Sequence, residues 1–408
     1  MLDSAGFLGD PGAGGNTSST SAASVGSGGA ASVGSAGGQP VGSGGGGGNG
    51  GSGGNGSGGN GGSGGDTDAG CVGGEEVCAP WWDVGWTRRR RILVDLANTE
   101  PLIDYPVLVR LDGNRIDYAA AKPGGIDVRF LGEGSASPLS HEIEEWDTGS
   151  SSYVWVRLPV VQPIMNGPTV IWMYYDNDAA GPAGDSEATW NAGFRSVHHF
   201  NVTMNDSTAA TKHGTSPNPP SPGPGLIAGA HVFDGMNDRV LLPGEEDFDF
   251  ATMLSVSAWV RVASFTMTWQ TIVAKGDDSW RLHREWDTNF PGIGTTHVNP
   301  PYDNFGGSIS INDNTWHHVA AVYDGQTKKV FVDGALDTSK SFNAAIVNST
   351  YPVCIGDNNQ APNREFHGSI DEVRISSVAL PNAWMAADYR TVTVNDALDF
   401  SMDVAVPR

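Results

Sequence analysis

The stretch Trp316–Gly325 reads WHHVAAVYDG, and Lys329–Gly334 follows it with KVFVDG. Both runs are rich in β-branched and aromatic residues, which favour the pleated surface of a β-strand. Each run ends in Asp-Gly, a pair that suits tight turns because Gly accepts a positive φ and Asp can bond its own backbone. The two stretches therefore predict consecutive antiparallel strands joined by tight turns.

The two-residue period of a β-strand recurs along much of the remaining chain. In Leu254–Val262 the apolar alternate residues share one face, as expected for one layer of a sandwich. Other short runs of this kind, separated by Gly, Pro, Asn and Asp, lie at 91–96, 105–111, 126–130, 153–158 and 169–175. Such spacing predicts an all-β fold made of two β-sandwich domains.

Four motifs in the second half of the chain occur in an order that is known from one family. They are FDG at 233–235, SAWV at 257–260, the stretch at 316–334, and GSIDEVRI at 368–375. This half resembles the laminin-G-like jelly rolls of the concanavalin A-like lectin and glucanase group. The resemblance implies binding rather than catalysis.

Residues 81–190 resemble an uncharacterised bacterial domain that also occurs in biopolymer transport proteins of the MotA/TolQ/ExbB type. The likeness rests on five motifs: YPVLV at 105–109, DVRF at 127–130, HEIE at 141–144, VWV at 154–156 and MYYDN at 173–177. A channel function is not implied, because no window offers the roughly 20 consecutive apolar residues of a membrane-spanning helix.

The N-terminal part of the chain has a different composition. Residues 12–65 are nearly all Gly, Ser, Ala and Asn, which bury too little apolar surface to offset their ordering entropy. We therefore divide the chain into a disordered Gly/Ser-rich tether (1–70), a first β-sandwich domain (71–190), the jelly roll (191–390) and a C-terminal tail (391–408). Within the tail, Thr391–Val394 fits an added edge strand.

Charge and targeting features narrow the partners and the location. Asp and Glu outnumber Lys and Arg by 46 to 23, and a net charge of -23 disfavours nucleic acid and anionic membranes. Residues 1–10 lack both the basic and the apolar region of a secretory signal. We nevertheless interpret the chain as an extracellular or cell-surface protein whose true start lies upstream, with lipid or surface anchoring ahead of the tether.

The chain has three cysteines, too few for a disulfide-stapled fold. Cys71 and Cys78 bracket six residues, so a disulfide between them is feasible, and two free thiols are the alternative. Cys354 lies between Val353 and Ile355 and is expected to be a small core residue.

Aromatic and polar residues in the loops of the jelly roll suggest a ligand surface. An aromatic ring that is exposed on a loop can stack on the apolar C–H face of a sugar. We select Trp286 and Tyr302, together with the neighbouring His283 and Asp303, as candidate ligand-binding residues.

Asp371 is the strongest candidate for a metal ligand, because strand alternation places it on the same face as Val373 and Ile375. A buried carboxylate is costly unless it is hydrogen-bonded or bound to a cation. The resemblance implies a calcium site, with Asp234 and Asp238 as companion ligands. The alternative is that Asp371 accepts hydrogen bonds from the backbone amides of a neighbouring loop.

Other groups in the chain suggest chemistry that the sequence supports less well. Glu142 and Glu144 share a strand face and could form a glycosidase pair, but the Glu-x-Asp-x-x-Glu pattern of retaining glucanases is absent. Asp371 and Glu372, like the adjacent pairs His198–His199 and His317–His318, should point to opposite faces of their strands. The four arginines at 88–91 should pair within the acidic molecule.

These observations predict a non-catalytic binding protein rather than an enzyme. Its jelly roll is expected to recognise a glycan or an extracellular protein, with calcium as the expected cofactor. The alternative is an accessory or structural module of a larger glycoside hydrolase or biopolymer transport system.

Overall fold

The computed structural model describes residues 78–191, 193–299 and 301–406. The expected tether and Cys71 lie outside these residues, so the Cys71–Cys78 disulfide stays a prediction. The described part is mostly antiparallel β-structure with few helices, which confirms the all-β fold class. Within it no helix is long and apolar enough to cross a membrane.

Two sheets form the first sandwich. Its strands are β1 (Arg88–Val94), β2 (Leu102–Leu111), β3 (Arg129–Gly132), β4 (His141–Glu145), β5 (Ser152–Val161) and β6 (Thr169–Tyr175). One sheet has the order β2-β5-β4, and the other contains β1, β6 and β3 side by side. Both sheets bury their apolar residues in a common core that includes Val107, Trp155 and Met173.

The jelly roll begins after the short helix α1 (Ser186–Thr189). Its first strands are β7 (Phe194–His198), β8 (Ser221–Pro224), β9 (Gly229–Asp234), β10 (Val240–Leu242), β11 (Leu254–Val262), β12 (Thr271–Ala274) and β13 (Trp280–Arg284). The following strands are β14 (Pro291–Thr296), β15 (Tyr302–Gly306), β16 (Trp316–Tyr323), β17 (Thr327–Val332), β18 (Ala335–Ser341), β19 (Val353–Ile355) and β20 (His367–Ser376). They form one sheet of order β10-β19-β12-β13-β14-β15 and another of order β18-β17-β16-β11-β20-β9-β8, in which β7 also pairs with β20.

The predicted apolar face of β11 lies in the jelly-roll core. Its alternate residues are all fully buried there: Leu254, Val256, Ala258, Val260 and Val262. The turn at the end of β17 is also as predicted, since Asp333 (φ 52°) and Gly334 (φ 75°) both have the positive φ of a type I′ turn.

The C-terminal segment departs from the prediction for Thr391–Val394. Residues Asn382–Thr393 form an α-helix, α2, so the first three of these residues are helical. The edge strand forms further along, where β21 (Leu398–Phe400) and β22 (Val404–Ala405) pair with β1 of the first sandwich. A short run with strand propensity thus takes the helical state because α2 packs against the sandwich core.

The two sandwiches belong to one compact unit and share apolar contacts. The core of the first sandwich extends through helix α2 to residues on the outer face of the jelly-roll sheet. In α2, Trp384 packs edge-on against Tyr105, with ring centroids 4.8 Å apart. Trp259 of β11 and Phe331 of β17 belong to this core rather than to the jelly-roll core. Both faces of the central jelly-roll strands are therefore buried.

Among the four arginines of β1, Arg88 pairs with carboxylates as predicted, whereas Arg90 donates to the backbone carbonyls of Asn114 and Ser401. Arg88 forms an ion pair with Asp403 at 2.8 Å and lies 3.3 Å from Asp117. Arg89 is fully buried, and its guanidinium lies between the rings of Trp81 and Trp172 at 4.4 and 4.5 Å. The basic run is thus a packing feature of the first sandwich.

His317 gives the jelly roll a pH-dependent contribution to stability. Its Nδ1 lies 2.9 Å from Asp333 Oδ2 and its Nε2 lies 3.2 Å from Asp313 Oδ1. The hydrogen bond with Asp333 raises the pKa of His317 above its usual value, although burial opposes this. The stabilisation is therefore fully present below the unfolded pKa of about 6.5 and is lost as pH rises through the folded pKa.

We expect His317→Gln to lower the free energy of unfolding more at about pH 5 than at about pH 9. Urea unfolding at both pH values measures this difference. His367→Gln is the control, because the His367 ring hydrogen-bonds a neutral group, the Ser264 hydroxyl at 2.8 Å, rather than a carboxylate. An equal loss at both pH values would show that His317 contributes by packing alone.

Candidate functional site

The four predicted ligand-binding residues do not form one surface. Trp286 and Tyr302 are 60% and 55% exposed, whereas His283 is fully buried. Along β14, Pro291 pairs with Arg284 near Trp286, and Thr296 pairs with Tyr302. Five residues of strand separate these two positions, which is about 17 Å. The two exposed rings therefore lie near opposite ends of the β13–β14–β15 region.

His283 and Asp303 have structural partners in the jelly roll. The His283 ring lies 2.6 Å from the Arg284 carbonyl, and burial together with the Arg281 charge lowers the pKa of His283 to about 3. Asp303 accepts hydrogen bonds from Lys328 and Lys340, each at 2.6 Å. Burial alone would raise the pKa of Asp303, but these two ammonium groups lower it. Both side chains thus already have hydrogen-bond partners within the jelly roll.

Trp286 belongs to a well-ordered pair of rings that we call the tryptophan platform, formed by Trp269 and Trp286. The rings meet edge-to-face with centroids 5.3 Å apart. The backbone N–H of Trp269 also donates to the backbone carbonyl of Trp286 at 3.2 Å. Beneath them, the Arg284 guanidinium donates to the carbonyls of Met267, Asp287 and Thr288 at 2.6 to 2.7 Å. One buried cation therefore holds both loops of the platform.

The predicted calcium ligands are not brought together. Asp371 is fully buried and its Oδ2 accepts hydrogen bonds from the backbone N–H groups of Leu226 (3.0 Å) and Ile227 (3.2 Å). This is the alternative that the sequence left open. Asp234 pairs with His367, four strand residues from Asp371, which corresponds to about 13 Å.

Asp234 and Asp238 stay together in the loop after β9, where they bond backbone groups. Asp234 Oδ1 accepts from the Met236 N–H at 2.8 Å, and Asp238 Oδ2 accepts from the Asp234 N–H at 2.9 Å. The strand register is therefore what separates this loop from Asp371.

A different set of charged residues converges where the two sandwiches meet, and we call it the junction cluster. Its members come from β4, β20 and the residue after β7: Glu142, Glu144, His199, Glu372 and Arg374. His199 Nδ1 lies 2.5 Å from Glu372 Oε1 and 3.5 Å from Glu144 Oε2, and its Nε2 lies 3.3 Å from Glu142 Oε2. Arg374 donates to Glu372 Oε2 at 2.8 Å.

Two β-bulges build the junction cluster. The register of β4 against β5 shifts between Ile143 and Glu145, so Glu144 lies in the bulge. The register of β20 against β11 shifts beside Glu372, which has a φ of 52°. A positive φ is strained for a residue with a side chain, and such strain concentrates at functional sites.

The bulge at Glu372 changes one expectation from the sequence. Asp371 and Glu372 should have pointed to opposite faces of the sheet, yet both are fully buried and each affects the other electrostatically. Burial, Glu372 and Glu144 raise the pKa of Asp371 well above its usual value. The bulge thus interrupts the strict alternation of side chains at this point of β20.

Burial and charge within the junction cluster shift the pKa values of its members in different directions. Burial would lower the pKa of His199, but the charges of Glu372, Glu144 and Glu142 raise it well above its usual value. Burial raises the pKa of Glu144 to about 8, although His199 opposes this. The pKa of Glu142 is lowered despite burial, mainly by the His199 charge. Carboxyl groups on one strand thus differ in their readiness to ionise.

A solvent-accessible cavity of about 320 Å³ opens at the junction cluster. Its lining includes Glu142, Glu144, His199, Asn201 and Ser207. Glu142 and Glu144 thus line one cavity together with Ile143, so the bulge rather than strict alternation sets this arrangement. The indole N–H groups of Trp190 and Trp155 donate to Glu142 and Glu144 respectively, each at 2.7 Å.

Three side chains of this cluster could hold a metal ion. Among the described residues, Glu144, His199 and Glu372 place one ligand atom each within 4.8 Å of the others. The neighbouring His198 is not part of this cluster, since it is fully buried and stacks on Phe200 with ring centroids 5.6 Å apart. No local motif marks the cluster, because its residues come from three distant parts of the chain.

Two family profiles match the chain. Residues 234–386 match the concanavalin A-like lectin/glucanases superfamily, and residues 124–213 match a domain of unknown function, DUF2341. The resemblances that the sequence motifs indicated are thereby confirmed. No curated protein matches the chain.

Several solved structures are similar to parts of this chain. The binding domain of Paraclostridial Mosquitocidal Protein 1 aligns with a TM-score of 0.43 at 12% identity, over 49% of this chain and 52% of that one. Domain 4 of AbnA, an extracellular arabinanase from Geobacillus stearothermophilus solved with arabinotriose, aligns with a TM-score of 0.41 at 23% identity, over 48% of this chain and 98% of that one. The binding domain of Botulinum neurotoxin DC, solved with rat synaptotagmin II, aligns with a TM-score of 0.41 at 14% identity, over 50% of this chain and 53% of that one. The alignments thus span about half the length of the two toxin chains.

Proposed function

We propose that this chain recognises carbohydrate through the tryptophan platform of its jelly roll. The observation that carries the proposal is the exposure of Trp286, whose ring is 60% accessible to solvent. A large flat ring with an exposed face can cover the apolar C–H surface of a sugar, which is a common basis of carbohydrate recognition. Trp286 is the principal contact in this proposal.

The rigidity of the platform supports the same function. Trp269 braces the Trp286 ring edge-on, and Thr268 Oγ1 donates to Asp287 Oδ1 at 2.6 Å, which ties the two loops together. Arg284 adds its three carbonyl contacts beneath them. A surface that is ordered before binding loses little conformational entropy when a ligand arrives.

The match of residues 234–386 to a lectin and glucanase superfamily also supports recognition of sugars. In this proposal the protein acts outside the cell or at the cell surface, and it binds without catalysing a reaction. Tyr302 is not part of the site, because it lies at the other end of β14. Recognition of an extracellular protein by the same exposed ring is the second possibility, and saturable glycan binding that depends on Trp286 would argue against it.

We expect the full-length protein to bind at least one glycan class on an array, and Trp286→Ala to weaken that binding at least tenfold. The reason is that a central aromatic contact typically contributes about 2 kcal/mol or more, and 1.4 kcal/mol corresponds to a factor of ten. Isothermal titration calorimetry with the best array ligand measures the change.

The matched control is Tyr302→Ala, which removes another half-exposed ring from the same sheet and should leave affinity within twofold. Titrations with and without calcium test the predicted calcium assistance, and we expect equal affinities because Asp371 is distant from Asp234 and Asp238. If the folded protein bound no glycan on the array, the accessory or structural role would be favoured. Hydrolysis of an array glycan would instead favour an enzyme.

A further inference from the structure

We propose that Glu144, His199 and Glu372 form a binding site for a divalent transition metal such as Zn²⁺, open toward the cavity at the junction of the two sandwiches. The site is separate from the tryptophan platform and does not depend on the proposed carbohydrate binding.

The donor atoms lie within 4.8 Å of one another, so small side-chain shifts would bring them to the spacing that such an ion requires. Zinc binds imidazole nitrogen and carboxylate oxygen at about 2.0 to 2.2 Å, so that ligand atoms in a tetrahedral site are about 3.3 Å apart. His199 Nδ1 is already 3.5 Å from the Glu144 carboxylate, measured to Oε2, and the other oxygen of this carboxylate, Oε1, is the proposed ligand atom. The 2.5 Å contact between His199 Nδ1 and Glu372 Oε1 must widen by less than about 1 Å to admit the ion.

Each of the three side chains is held by a second partner that leaves an atom for the metal. Arg374 occupies Glu372 Oε2 and leaves Oε1 directed at His199. Trp155 occupies Glu144 Oε2, whereas Glu144 Oε1 is buried and has no hydrogen-bond partner. An unpartnered buried carboxylate oxygen is costly, and a bound cation would compensate that cost.

His199 is oriented in the way that metal-binding histidines usually are. Its Nε2 lies 3.3 Å from Glu142 Oε2, while its Nδ1 faces Glu144 and Glu372. A carboxylate on the far ring nitrogen is the common means of orienting an imidazole that ligates a metal. Glu142 itself is held by Trp190 and by the Ser207 hydroxyl, each at 2.7 Å, which makes it a positioning residue.

The chemistry of the donors selects the class of ion. One imidazole nitrogen and two carboxylates suit zinc and similar transition metals, whereas calcium prefers six to eight oxygen ligands. Three protein ligands leave a fourth position of a tetrahedral ion for water or a bound molecule. Since Glu144 and His199 line the cavity, that position would face it.

Metal binding can be measured on the full-length, tag-free protein after chelator treatment and dialysis. We expect Zn²⁺ to bind saturably with one ion per chain at this site and to raise the unfolding temperature, whereas Ca²⁺ should do neither. Glu144→Gln should weaken zinc binding by more than 100-fold. Glu142→Gln should weaken it by about 10- to 100-fold, as is typical for a residue that orients a metal ligand.

Glu285→Gln is the matched control, because it alters a partly buried glutamate of the jelly roll that lies outside the cluster. Substitution of Co²⁺ for Zn²⁺ gives a second readout, since its visible absorption should report a four- or five-coordinate nitrogen and oxygen site and should disappear in Glu144→Gln. Zinc binding of equal strength in wild type and Glu144→Gln, or no saturable binding by folded wild-type protein, would overturn the proposal.

Discussion

Arg374→Met is expected to lower the free energy of unfolding by about 3 to 5 kcal/mol, the cost of breaking a buried ion pair by removing one partner. Arg374 bonds Glu372 at 2.8 Å and lies 3.4 Å from Asp388, and all three side chains are buried. Its guanidinium also lies 4.5 Å from the Trp155 ring centroid, between elements of both sandwiches. Without the cation, Glu372 keeps His199 as a close charged partner and Asp388 keeps the Tyr105 hydroxyl, but the two buried carboxyl groups lose their shared counter-charge.

Chemical denaturation followed by tryptophan fluorescence measures the Arg374 effect. Arg261→Met is the control, because Arg261 lies on the adjacent strand β11, is only partly buried and contacts Ser369 Oγ at 3.4 Å. We expect a loss of less than about 1 kcal/mol there, as for partly exposed charges in general. The double variant Arg374→Met, Glu372→Gln should recover part of the loss. Equal losses for Arg374→Met and Arg261→Met would contradict a central role of the junction cluster in stability.

Gly356→Ala is expected to lower the free energy of unfolding by about 2 to 5 kcal/mol. Gly356 has a φ of +80°, which costs an L-residue about 1 to 2 kcal/mol. A Cβ at this position would lie 2.1 Å from Phe233 Cε1 in the jelly-roll core, and such overpacking adds about 1 to 3 kcal/mol. Gly356 cannot easily move, because its N–H bonds Ile272 and its carbonyl bonds Phe366, each at 2.8 Å.

Gly134→Ala separates the two causes of the Gly356 effect. Gly134 has a similar φ of +70°, but a Cβ there would meet no atom within 4 Å. It should therefore lose only the conformational term of about 1 to 2 kcal/mol. Thermal and urea unfolding of both variants measure the difference, and equal losses would show that the Phe233 contact contributes nothing.

The sequence predicted the parts of this fold that depend on neighbouring residues. The apolar alternation in Leu254–Val262 identified the core face of β11, because side chains of a strand alternate strictly between two faces. The Asp333–Gly334 turn followed from residues that tolerate a positive φ.

The candidate sites were harder to predict because they depend on contacts between distant residues. The calcium prediction combined Asp371 with Asp234. The two residues do not meet, because the β9–β20 register sets Asp234 opposite His367. The alternation rule assumes a regular strand at Asp371 and Glu372, whereas a bulge interrupts β20 at that point. Nothing in the residues beside Glu372 indicates a positive φ there.

By itself, the sequence determined the all-β class, the faces of the longer strands, several turns, and the resemblance of each sandwich to its family. These properties follow from local periodicity, turn chemistry and motif order. Only the tertiary structure decided that Trp259 and Phe331 face the first sandwich, and that Glu144, His199 and Glu372 meet at a cavity. The physical reason is that strand register, bulges and the packing of α2 are set by the summed interactions of residues that are far apart in the chain.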